Sequence, residues 1–263
     1  MVDFGHCAHT NRCKAVRLEG ERMRLNPFNT GNINVRSSGG GGRVPGGKAG
    51  GIGCGTITIA AVGYFVFGLD PMQTAGMVEG VQQGQQQVGP ANTNEQEVCT
   101  SSEFAREACN GLQSLNQTWA GTFEAQGYGD QFRQPTLDLY GGGGVNTGCG
   151  SGTSAMGPFY CPADQTIYID TSFYDTLERQ LGAGGDFARY YVLAHEYGHH
   201  IQTITGISSQ IRSAQQQNPS RANQLQVLME LQADCYAGVW AGKNRNLIEP
   251  GDIEEGMQAA AAI

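Results

Sequence analysis

Apolar side chains recur along this chain in two different rhythms. From Cys99 to Phe123, Phe104, Leu112, Leu115, Trp119 and Phe123 fall three to four residues apart with one longer gap, which predicts an amphipathic helix. Thr136–Tyr140 (TLDLY) alternates behind Pro135 and reads as a strand, and Thr166–Asp170 (TIYID) reads as a second one. A glycine-rich loop containing Cys149, 141–152, separates them. The helical rhythm then returns. A helix is expected over 172–181, stopped by Gly182, and a longer one over 186–205, stopped by Gly206. Another starts at Pro219 and runs to about Ala241, with Leu225, Leu228, Met229 and Val239 apolar. A last one runs from near Pro250 into 259–263 with no stop signal, which reads as a domain cut short.

Ahead of Cys99 neither rhythm is present. Residues 1–22 hold His6, Cys7, His9 and Cys13, but their spacing fits no common zinc pattern, so this stretch reads as an extension, with Met23 a second candidate start. Residues 29–51 are Gly, Ser and Asn with scattered basic residues, the composition of a flexible tether. Residues 51–69 are 19 residues without a charge. About 20 apolar residues span a bilayer. Four basic and no acidic side chains lie in 23–50, and Asp70-Pro71 ends the run. The expectation is a single transmembrane anchor with the N-terminus cytoplasmic and the remainder periplasmic or extracellular. Residues 80–97, rich in Gln, Gly and Asn, read as a second linker. The expected division is a disordered basic region (1–50), an anchor (51–69), a linker (70–98) and a folded domain (99–263).

Charge sharpens this division. Residues 1–50 carry eight Lys/Arg against three Asp/Glu, or +5; residues 51–263 carry eight against 21, or −13. An acidic body offers no basic face for phosphates, which argues against a nucleic-acid partner.

The candidate chemistry lies in YVLAHEYGHHIQ, 191–202, which holds three of the five histidines. Residues four apart on a helix share a face, so His195 and His199 can reach one ion. Glu196 sits about 100° round the helix, near a metal-bound water. This is the H-E-x-x-H arrangement of two zinc ligands and a general base. His200 points elsewhere and should pack or bond away from the metal. A pair of solvated histidines would be flanked by polar residues, but Val192, Leu193, Ala194 and Ile201 surround these, which implies burial. Catalytic zinc takes three protein ligands and a water. In MELQADCYAG (229–238), Glu230 is the third candidate ligand. Asp234, four residues on, would accept the remaining N–H of a ligand histidine. The helix is apolar enough that both carboxylates are expected to be buried.

The strings GCGSGTSAMGPFYCPADQTIYID, VLAHEYGHHIQ, ELQADCYAGVW and GDIEEGMQAAAAI together resemble the bacterial family of neutral zinc metallopeptidases. The resemblance runs from Met23 to the end. It implies a gluzincin arrangement with Zn2+ held by His195, His199 and Glu230, and Glu196 as catalytic base. It also implies a short basic start, a glycine tether and one membrane span before the catalytic domain. The family continues past this C-terminus.

Cys149 and Cys161 flank a short segment and are a candidate disulfide, suited to an oxidising compartment. Cys99 and Cys109 could form another only if the helix breaks near 100–102, since ten residues of straight helix separate them by about 15 Å; two free thiols are the alternative. Cys235 is expected to be a buried thiol near the site. The fold class is α+β, zincin-like, mainly helical with a small sheet. The function expected is membrane-anchored, zinc-dependent peptide hydrolysis, with an extended substrate added to the TIYID strand. The alternatives are an inactive zinc-binding scaffold and, more weakly, a redox protein without a C-x-x-C pair.

Overall fold

The computed structural model describes residues 32–39, 91–141, 144–173 and 185–262. Its elements are β1 (Val35–Arg36), α1 (Glu95–Thr100), α2 (Glu103–Ala125), β2 (Thr136–Tyr140), β3 (Gly144–Thr147) and β4 (Gly150–Thr153), followed by β5 (Phe159–Cys161), β6 (Thr166–Asp170), α3 (Asp186–Ile204), α4 (Ile207–Gln217), α5 (Ala222–Lys243) and α6 (Asp252–Ala262). The class is mixed α and β, mainly helical, with a small sheet.

Four strands form that sheet in the order β1-β2-β6-β5. β1, β2 and β6 run parallel, and β5 closes the edge antiparallel to β6. Both central strands are buried along almost their whole length, which suits a parallel pair covered on both faces. Leu137, Leu139, Ile167 and Ile169 meet Leu112, Leu115 and Trp119 of α2 and Leu193, Tyr197 and Ile201 of α3 in one core. The TIYID strand is therefore interior, paired with β2 along its whole length and with β5 over Thr166, Ile167 and Tyr168, so the edge strand on this side is β5 rather than TIYID. The β3–β4 hairpin packs separately, around Tyr140, Val145 and Tyr168.

α3 is the hub of the helical half. Of its 19 residues 13 are buried. A helix buried on most of its circumference must be enclosed by other elements, and α2, α4, α5, α6 and β5 all contact it. α5 crosses it at closest approach beside Gly198, where a Cβ would lie 2.9 Å from Ala233 Cα and O. Only glycine lets the two backbones come this near.

Several expectations are corrected here. Residues 32–38 belong to the folded domain rather than to a disordered stretch. Ile33 and Val35 alternate inward at 2% and 4% exposure. Arg36 pairs with Asp138 at 2.6 Å, and Ser38 donates to the same carboxylate through N (3.0 Å) and Oγ (2.7 Å). Asp138 is fully buried, so these partners from β1 satisfy a charge that β2 would otherwise carry unpaired. The domain also starts before Cys99. Asn94 caps α1 and accepts from Glu97 N, and Val98 and Cys99 are buried. The Asn-rich composition that resembled a linker supplies this cap.

Ser37 and Asn92 exchange backbone hydrogen bonds of 2.9 and 2.8 Å. This bridge ties the end of β1 to the segment just ahead of α1. Residues 51–69, the His6/Cys7/His9/Cys13 group and all but the first two residues of the helix expected over 172–181 lie outside the described residues. Among the described residues no helix is long and apolar enough to cross a membrane.

Both cysteine pairs are joined. Cys99–Cys109 bridges α1 and α2 across the break at Ser101–Ser102, with Cα atoms 5.8 Å apart. Cys149–Cys161 fastens the turn of the β3–β4 hairpin to the end of β5. Cys235 is an exposed free thiol, not a buried one, because it lies on the outer side of α5 with Leu228 and Leu231.

Candidate metal centre

α3 carries His195 and His199 one turn apart, their rings 4.8 Å apart and almost perpendicular. α5, held close by the Gly198–Ala233 contact, brings up Glu230. Its Oε2 lies 3.3 Å from His195 Nε2 and 3.1 Å from His199 Nε2. Among the described residues these three side chains offer ligand atoms within 4.8 Å of one another. Two imidazole nitrogens and one carboxylate oxygen converging on a point are the donor set of a three-ligand zinc site.

The other nitrogen of each ring is engaged. His195 Nδ1 lies 2.8 Å from Asp234 Oδ1, which also accepts from the Tyr191 hydroxyl. His199 Nδ1 lies 2.9 Å from Gln202 Oε1. Both Nε2 atoms are left facing Glu230, so the residues present fit a divalent cation. Glu230 is steadied by Gln226, whose Nε2 donates to Oε1 at 2.6 Å.

Electrostatics follow from this crowding. Burial raises the pKa of Glu196, partly countered by His199 and His195 and by a hydrogen bond from the Tyr160 backbone. For His199, burial disfavours the cation, but the hydrogen bond to Glu230 and the charge of Glu196 outweigh it, and the pKa is pushed up to about 9. His195 moves upward for similar reasons, against burial and through Glu230 and Glu196. The cluster therefore attracts positive charge at the two Nε2 atoms, as a proton or as a metal ion.

Glu196 is 7% exposed, beside this point but outside the ligand triangle. His200 is fully buried and turned away, bonded to the Arg133 carbonyl (2.7 Å) and the Tyr160 hydroxyl (3.1 Å). Glu230 and Asp234 are not buried as expected. Their side chains are 43% and 37% exposed, because the apolar neighbours Val227, Leu228 and Leu231 face outward rather than into a core. The sequence reading passed over Gln202 and Tyr191. Gln202 had a signal, as a polar amide three residues after His199 on a helix whose other side is apolar. Tyr191 had none, since tyrosine is equally at home in the core.

Two histidines and a downstream glutamate on crossing helices, beside a small sheet, define a zinc-peptidase class of site. The chain belongs to the family described as "Putative neutral zinc metallopeptidase", which it matches over residues 26–263. Membership implies a zinc cofactor and a peptide or protein substrate. The Escherichia coli protein YpfJ is 43% identical over 253 residues, covering 94% of this chain and 83% of its own length. The Mycobacterium tuberculosis protein Rv2575 is 43% identical over 145 residues, 50% of this chain and 48% of its own. No solved structure matches the chain.

Proposed function

We propose that this protein is a zinc-dependent peptidase with His195, His199 and Glu230 as metal ligands and Glu196 as general base. The observation that carries the reading is the convergence of two imidazole Nε2 atoms and Glu230 Oε2 beside the buried carboxylate of Glu196. Zinc held there would supply a Lewis acid that polarises a peptide carbonyl and acidifies the attacking water. Glu196 takes the proton from that water and passes it to the leaving amine. Its raised pKa suits a group that must both accept and release a proton. Asp234 holds His195 in the tautomer that frees Nε2.

The edge strand β5 supplies a place for the substrate. The Tyr160 amide bonds Glu196, so it points away from β6. In an antiparallel pair the N–H and C=O of one residue point the same way. The Tyr160 carbonyl is then open to an extended peptide laid along the cleft.

The test is zinc content and peptide hydrolysis on the full chain. Native protein should hold one zinc and cleave peptides. Glu196→Gln should keep the zinc and lose hydrolysis by at least about 100-fold. Zinc bound by a native protein that cleaves nothing would leave only the scaffold reading.

Membrane attachment through 51–69, with the catalytic domain periplasmic or extracellular, is part of the proposal. Two disulfides support an oxidising location. The expected orientation is a single span with a cytoplasmic N-terminus; the Ser37–Asn92 pairing supports the alternative that β1 lies on the same side as the catalytic domain. A single cysteine placed at Asn32 should be labelled by an impermeant reagent from the same face as Cys235. Labelling from opposite faces would restore a single crossing.

A further inference from the structure

We infer that Gln202 is a positioning residue: it fixes the tautomer of His199 and ties the histidine helix to the helix carrying Glu230. The inference rests on the metal site proposed above.

Gln202 is fully buried, and both ends of its amide are used. One end lies 2.8 Å from the Met229 carbonyl and 3.1 Å from Gln232 Oε1. A carbonyl oxygen can only accept, so this end must be the NH2 group. The other end is then the oxygen, 2.9 Å from His199 Nδ1. That oxygen can only accept in turn, so Nδ1 must carry a proton. In neutral His199 the lone pair is left on Nε2, the atom facing Glu230. A backbone carbonyl on α5 thereby decides which nitrogen of a ring on α3 is free for metal. Reversing the amide would set oxygen against oxygen at Met229 and leave a buried carbonyl unpaired.

The same amide acts on Glu230. Met229 is the residue before the carboxylate ligand, so the bond from Gln202 holds the α5 backbone beside that ligand. His195 is served differently, by the carboxylate of the part-exposed Asp234. A second carboxylate at position 202 would be fully buried and would add charge to a cluster already holding Glu196, Glu230 and Asp234. A neutral amide gives the acceptor without that cost.

Two variants separate tautomer control from packing. Gln202→Met keeps the volume and loses every hydrogen bond. Gln202→Glu keeps the acceptor toward His199 and loses the donor toward Met229. On the full chain, zinc affinity is measured by chelator competition, and the His199 ring N–H is followed by NMR in the zinc-loaded protein. The native ring should show a slowly exchanging Nδ1–H. Gln202→Met should lose that protection and bind zinc about 10–100-fold more weakly. Gln202→Glu should keep the signal and lose less affinity than the methionine variant. Native-like affinity and a protected Nδ1–H in Gln202→Met would overturn the inference while leaving the zinc site intact. Ligation through Nδ1 in the native protein would overturn it without any variant, so a methionine protein that fails to fold does not shelter it. Native protein that binds no zinc overturns this inference together with the function it rests on.

Discussion

Asp138 on β2 and Glu196 on α3 are both carboxylates taken out of water, and the protein deals with them in opposite ways. Asp138 meets a permanent cation, Arg36, and two donors from Ser38. That pair is complete in itself. Glu196 has Glu230 as a neighbour, with Asp234 beyond, and its strongest opposing charges are imidazoles, which are cationic only when protonated. The first arrangement closes a structure. The second leaves a deficit of positive charge at a defined point, to be met from solution by protons or by a dication. Burial is common to both, so burial alone does not mark a functional carboxylate; the kind of partner does.

The largest effects separate these two modes in one experiment, urea unfolding with and without zinc. Arg36→Met leaves Asp138 buried and unpaired and should cost about 3–5 kcal/mol in both conditions. A cost under about 1 kcal/mol would mean that β1 is not integral to the sheet. Glu230→Gln removes the part-exposed carboxylate that favours protonated His195 and His199, and in the presence of a chelator near pH 7 should cost about 1–2 kcal/mol, less than Arg36→Met. With zinc at a thousandfold excess over its dissociation constant, the native protein should gain about 4 kcal/mol and Glu230→Gln should gain far less. Equal gains would show that the ion binds elsewhere.

This contrast also explains what the sequence disclosed. The helix of the metal site was legible because H-E-x-x-H couples a chemical motif to helical spacing. Glu230 and Asp234 were legible because they repeat that spacing on the next helix. What the pattern could not show was exposure: Leu228 and Leu231 look like core residues and face outward, so two carboxylates thought buried are part-exposed. β1 was illegible for a different reason. It has two ladder residues amid glycine and serine, and its partner lies 102 residues away. The charge it neutralises, Asp138, sits in TLDLY, where alternation identifies a strand but not the cation that the strand requires.

His200 shows a third way of burying an ionisable group, and it gives the smallest of the predicted effects. It has no cation and no metal; it stays neutral. Burial lowers its pKa to about 4, although the bond to the Arg133 carbonyl works the other way. That bond requires the proton on Nε2, and Nδ1 then accepts from Tyr160. An unfolded histidine titrates near ~6.5, so on acidification the unfolded chain takes up the proton first. The stability owed to neutral His200 is complete above about pH 6.5 and is lost as pH falls towards 4, by up to about 3 kcal/mol. His195 and His199 respond in the opposite sense, since their folded pKa values are raised. The difference between native protein and His200→Phe isolates the buried ring. In a chelator, the stability lost by the native protein between pH 7 and 4.5 should exceed that lost by the phenylalanine variant by about 2 kcal/mol. Parallel pH profiles would mean that His200 takes up its proton as readily in the folded state as in the unfolded one, and that the network linking β5 to the segment before β2 tolerates a charge.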